Sequence, residues 1–206
     1  MSQSGKKVND MNNIFGGGAR LVYADTSLAK PTQLSDILNT STGVLASGWN
    51  DFGATDGGAK IRKGFEKESW EVDQVLGAID DFIKSWNLML ETNLAENSLE
   101  NLQIAWEEGD ITTNATPNPD ERSIGIGDSD ALTERMFALI ADKRKVNSTG
   151  YIRAYVFWRG QIDGSESEHS FIKGQKTLIP VKFKLLADTS ELQDRRFGLI
   201  LDQVPA

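Results

Sequence analysis

One histidine occurs in the chain, His169, next to Ser170 in the run Gly164-Ser-Glu-Ser-Glu-His-Ser. An imidazole beside a hydroxyl is the pairing a general base needs to activate a nucleophile. Glycine and charges dominate that run, so it reads instead as a solvated hairpin tip, and no nucleophile-elbow motif accompanies it. Asp128 and Asp130 offer carboxylate oxygens to a hard cation. Calcium loops gather about 6–8 oxygens, with a later bidentate glutamate at fixed spacing, and that pattern is missing. Four acidic pairs remain: Glu66/Glu68, Glu71/Asp73, Asp80/Asp81 and Glu166/Glu168. A glycosidase sets two carboxylates across a sugar cleft. Acids two apart on a strand share one face, the pattern of a solvated surface. Gly16-Gly-Gly18 lacks the lysine and hydroxyl of a phosphate cradle. Trp158, with Tyr151, Tyr155 and Phe157, could stack on sugars or bases, although strands favour aromatics in general. Cysteine is absent, which removes disulfides, thiolate zinc and a cysteine nucleophile. The expectation is no catalytic residue, no metal and no cofactor.

The 206 residues carry a net charge of −8. That length can bury a core without staples. An acidic surface repels phosphate backbones and argues against a nucleic-acid reader. No run of about 18 apolar residues is present, so no membrane insertion is expected. The opening residues, Met1 to Asp10, lack the apolar stretch of a secretory signal, which points to synthesis in a cytoplasm.

Residues 1–17 read as a flexible N-terminal arm, polar and ending in glycine. A single β-domain follows over 18–206. It opens with a short strand, Arg20–Ala24, and a long loop, residues 25–48, rich in Ser, Thr and Asn. From Trp49 onward, alternating patterns predict strands in quick succession. In Ser69–Val75, Trp70 and Val72 point one way, Glu71 and Asp73 the other. Phe82, Lys84, Trp86, Leu88 and Leu90 share one face of a long strand. A helix is predicted from Ser98 to about Glu108, capped by Asn97, with Glu100 at capping-box spacing. Leu99, Leu102 and Trp106 line its predicted inner face, and Gly109 ends it. Glu107 and Glu108 oppose the helix dipole, so tertiary packing must hold it. Further strands are expected near Ser123–Ile126, Arg135–Ala141, Tyr151–Gln161, Thr177–Leu186 and Phe197–Leu201, although Ala131–Lys145 also fits a helix. The clearest strand puts Ile179, Val181, Phe183 and Leu185 on one face, and Pro180 places it at a sheet edge or bulge. The predicted core is Trp70, Val72, Trp86, Leu88, Leu102, Trp106, Ile179, Val181 and Phe183. The fold class is mainly β: two packed antiparallel sheets, as a sandwich or barrel, flanked by one helix.

The order of segments resembles the tail tube (major tail) proteins of long-tailed phages. The likeness runs over Gly48-Trp-Asn-Asp-Phe-Gly-Ala-Thr-Asp-Gly-Gly, then Phe65-Glu-Lys-Glu-Ser-Trp-Glu-Val-Asp-Gln and Gly77-Ala-Ile-Asp. It continues through Ala95-Glu-Asn-Ser-Leu-Glu-Asn-Leu, Tyr151–Gln161, His169-Ser-Phe-Ile-Lys-Gly and Leu178-Ile-Pro-Val-Lys-Phe, covering roughly residues 18–202. The resemblance implies two packed sheets flanked by a helix, and hexameric rings that stack into a tube. The lumen of that tube would conduct DNA in transient, non-specific passage from capsid to host. Partners would be the chain itself and other tail proteins: the tape measure, the tail terminator and the distal tail protein. The place of work would be the virion tail. The tubes of contractile tails and secretion systems share this fold. A loop and an arm of such a subunit could order against neighbouring copies. Glu66, Glu68, Glu71 and Asp73 are the candidate lumen-facing residues, because a carboxylate wall would not hold DNA. The alternatives are a carbohydrate-binding β-sandwich, which needs exposed aromatics beside a groove, and a hydrolase using two carboxylates.

Overall fold

A computed structural model describes residues 15–71, 78–116, 119–128, 130–143, 150–164 and 168–204. The chain is mainly β. In order it forms β1 (Phe15–Asp25), β2 (Trp49–Asp51), β3 (Thr55–Glu71), β4 (Ala78–Leu94), α1 (Leu99–Trp106), β5 (Thr112–Asn114), β6 (Glu121–Ser123), β7 (Arg135–Lys143), β8 (Ile152–Ile162), β9 (Ile179–Leu186) and β10 (Gly198–Asp202). Eight strands make one antiparallel sheet, ordered β2-β1-β7-β8-β9-β4-β3 with β10 also on β8. The second sheet is only the β5–β6 ribbon.

The large sheet forks at β8. Residues Arg153–Phe157 pair with β10, whereas Arg159–Ile162 pair with β9. The sheet also curls, because β1 and β3 touch although four strands separate them in the order. Sandwich-like packing results. Inside the curl lie Leu21, Phe52, Leu90, Leu94, Phe137, Ile179 and Phe183, all at or near zero exposure. Phe137 and Phe183 meet at 4.4 Å between ring centroids. Gly160 is what permits this closeness: a Cβ there would lie 2.8 Å from Phe137. In β9, Ile179, Val181, Phe183 and Leu185 are buried in strict alternation, and each contributes roughly 1.5–3 kcal/mol of transfer free energy. Pro180 sits where β9 pairs with β4, before β8 joins at Phe183.

A second core covers the outer face of the β1-β7-β8 layer. Val22, Ala24, Met136, Ala138, Ala154, Val156 and Trp158 are buried there beneath Ile37, Leu38 and Trp49. The residue 25–48 segment therefore packs as a lid on its own sheet. A short 3₁₀ turn at Leu34–Asp36 and the Leu38–Leu45 bridge shape it. Trp49 Nε1 donates to the Asp36 carbonyl at 3.1 Å. Lys30 pins its start, 2.6 Å from Asp188 and 2.8 Å from Glu191.

Several sequence expectations shift. β1 begins at Phe15, so the glycine run belongs to a strand; residues 1–14 of the expected arm lie outside the described residues. Ser123–Ile126 is replaced by β6 at Glu121–Ser123. Gly57 and Gly58, at φ 76° and 74°, accommodate a bulge inside the β3–β4 ladder between Asp56 and Ala59, where a glycine pair after an aspartate would by itself suggest a tight turn. Gly77 lies outside the described residues. Helix α1 starts one residue later than expected. Ser98 is the cap, accepting from the Asn101 backbone N–H at 3.1 Å. The buried face is accordingly Asn101, Ile104 and Ala105; Leu102 is half-buried, and Trp106 is 36% exposed. Glu107, in the left-handed conformation, ends the helix instead of Gly109. Its carboxylate meets Arg135 at 2.6 Å, which offsets the repulsion at the helix C-terminus.

Candidate assembly surface

β3 and β4 form a hairpin of two 17-residue strands, the longest in the molecule. β9 supports β4 only from Leu88 to Leu94. Among the described residues, Ala78–Asn87 of β4 pair with β3 alone. The distal half is thus a two-stranded ribbon. Every residue from Arg62 to Trp70 and from Ile79 to Asn87 is exposed.

Two bulges set which side chains share a face. Glu66 pairs with Ser85 and Lys67 with Ile83, leaving Lys84 unmatched; Trp70 pairs with Asp80 and Glu71 with Ala78, leaving Ile79 unmatched. An unmatched residue reverses the alternation of its strand relative to the partner. The first face therefore carries Phe65, Lys67, Ser69, Asp81, Ile83 and Trp86. The second carries Glu66, Glu68, Trp70, Asp80, Phe82 and Ser85. Each face holds an edge-on aromatic pair: Phe65–Trp86 with centroids 5.3 Å apart, and Trp70–Phe82 at 5.6 Å.

Trp70 and Trp86 were expected in the core. They are instead 65% and 45% exposed. Alternation is present, but the sheet core ends where β9 ends. Val72 and Asp73 lie outside the described residues. The remaining lumen candidates sit differently from one another. Glu66 accepts from the Ser85 hydroxyl at 3.2 Å, Glu68 lies 3.4 Å from Lys84, and Glu71 closes β3. Opposite them, the Ser69 hydroxyl donates to Asp81 at 2.6 Å and, more than Lys67, holds that carboxyl below the usual range. Ion pairs this exposed contribute little to stability. A two-stranded ribbon is marginal in water by itself, and this one exposes large apolar side chains on both faces. That combination favours burial against another surface.

Among the described residues, the histidine and serine candidates are not paired with each other. Asn97 Nδ2 lies 2.8 Å from His169 Nε2, and Trp106 and Phe171 pack around the imidazole. The Ser170 hydroxyl donates to Glu168 at 3.2 Å, away from the histidine. Among the described residues, no group of acids and histidine could hold a metal ion. Trp158 is buried, its indole donating to the Arg195 carbonyl at 2.8 Å, and Phe157 is buried with it. No helix among the described residues is long and apolar enough to cross a membrane.

No family model matches the sequence, and no curated protein is similar enough to be matched.

Proposed function

We propose that the chain is a self-assembling structural subunit of the tail-tube kind, whose hexameric rings stack into a tube that conducts DNA. The observation that carries this reading is the β3–β4 hairpin, long, supported by β9 only along Leu88–Leu94 and aromatic on both exposed faces. Burying Phe65, Trp70, Phe82 and Trp86 against another copy would stabilise assembly by several kcal/mol. The segment order described above supports the tail-tube form of that assembly, and the virion tail as its place. The partners proposed are the same chain, the other tail proteins named above and DNA in passage.

The double variant Trp70→Ser/Phe82→Ser tests this. These side chains have no core role, so the variant should melt within a few degrees of wild type yet sediment as a monomer where wild type assembles. Unchanged assembly would remove the hairpin from the interface.

A saccharide-binding reading keeps one supporting observation. Trp106 flanks a groove of about 710 Å³ that also contains Asn93, Asp128 and Asp163. Saturable glycan binding that is lost in Trp106→Ala would favour it.

A further inference from the structure

We propose that the groove between β4 and β10 receives the acidic end of the β3–β4 hairpin from a second copy of this chain. The inference rests on the tube-subunit reading and names the two surfaces that would pair.

The groove exists because the sheet forks. β9 runs between β4 and β8 only as far as Leu186, and β10 pairs with β8 alone. Beyond that point the distal edge of β4 and the outer edge of β10 flank an open space of about 1230 Å³. Small-molecule sites occupy about 300–1,000 Å³, so this one suits a chain segment. Trp86, Leu88, Tyr155, Phe157 and Leu199 give it an apolar lining.

Its charge is opposite to that of the protein. Lys63, Lys84, Lys184, Arg195 and Arg196 line it against the single acid Asp194, whereas the whole chain carries −8. Lys84 and Arg195 have acidic partners in Glu68 and Glu191. Lys184 and Arg196 join none of the ion pairs found among the described residues.

The complementary feature is the hairpin end. Its described residues, 66–70 and 79–81, contain four acids, Glu66, Glu68, Asp80 and Asp81, against one base, Lys67. Exposed Trp70 and Phe82 accompany them. An acidic, aromatic projection thus matches a basic, apolar groove on the same molecule. The two surfaces differ, so the contact is heterologous. It leaves each copy with one free projection and one free groove, and assembly continues until a ring closes or a filament grows. The exposed edges of β4 and β10 can add main-chain hydrogen bonds to the incoming strands.

Charge exchange on the full-length protein tests the pairing. Lys184→Glu/Arg196→Glu reverses the groove, and Glu66→Lys/Asp80→Lys reverses the projection. None of these four side chains joins an ion pair among the described residues, so both variants should keep the wild-type melt. Sedimentation velocity over a concentration series at about 0.15 M salt should show each double variant needing roughly ten-fold more protein to assemble. Combining all four substitutions should bring assembly back toward wild type. Wild-type assembly that both doubles share would overturn the pairing and leave the tube reading standing, as would doubles that fail without rescue in the combination. A wild type that stays monomeric throughout would overturn both readings. Binding of a single-stranded oligonucleotide that is lost in Lys184→Glu/Arg196→Glu would reassign the groove to nucleic acid.

Discussion

Asp202 shows how one residue can hold a strand in place. Its carboxylate accepts from Arg153 Nε at 2.8 Å and Nη2 at 3.0 Å, and lies 2.6 Å from Lys143 Nζ, an ammonium with only 1% of its side chain exposed. Arg153, with a smaller contribution from Lys143, lowers the carboxyl to about 2. A lowered carboxylate contributes stability above its unfolded value of about 3.9 and loses it as pH falls through the folded value. Asp202→Asn should therefore cost on the order of 2 kcal/mol at pH 7. The gap to wild type should close between about pH 4 and pH 2, as urea melts across that range can read. A gap independent of pH would show that the group does not act through its charge. Val181, 3% exposed, is a simpler case. Val181→Asp puts an unpaired charge into the curl and should abolish the cooperative thermal transition. The inward set of β9 was legible in the sequence because period-two alternation in Ile179, Val181, Phe183 and Leu185 has one physical reading. Trp70 and Trp86 alternate as regularly. Periodicity shows neither the bulge at Lys84, which puts Phe82 and Trp86 on opposite faces instead of the expected one, nor whether another strand covers a face.

Helix α1 shows the same limit at the scale of an element. Its existence, its approximate span and its need for tertiary support were all readable from Asn97 to Gly109. Its face was not, because Asn97 and Ser98 are both good caps, and moving the start by one residue turns the helix by about 100°. Asn97 reaches His169 instead, a contact between segments 72 residues apart that no local pattern encodes. The structure predicts that Ser98→Ala costs about 1 kcal/mol and Ile104→Ala about 2–5 kcal/mol. Asn97→Ala should cost less than Ser98→Ala. Urea denaturation orders the three, and an Asn97 effect larger than that of Ser98 would restore the earlier cap. The residue 25–48 segment escaped the sequence for a related reason. Leu28, Leu34, Ile37, Leu38 and Leu45 are too sparse to show a period, yet these five pack onto the second core, while Val44 is exposed. Hydrogen exchange on the monomer should find the Ile37 and Ala46 amides protected, since Leu34 and Ile37 carbonyls accept from them at 3.0 and 2.8 Å.

For the whole molecule, the mainly β class and the single flanking helix followed from strand spacing and turn residues. The curl, the fork at β8 and the groove beside it did not, because they depend on where β9 stops relative to β4 and β8. Those long-range features also give the molecule its asymmetry: a projecting two-stranded ribbon whose end is acidic, and a basic, apolar groove between its base and β10. The core inside the curl and the lid over the second core bury most of the chain's large apolar side chains. The hairpin remains, with large apolar side chains on both faces, and its burial is what the proposed assembly supplies. Negative-stain electron microscopy of the concentrated full-length protein tests that claim most directly. The account predicts hollow tubes or stacked hexameric rings that become more abundant with concentration. A field of dispersed single subunits at every concentration would contradict it.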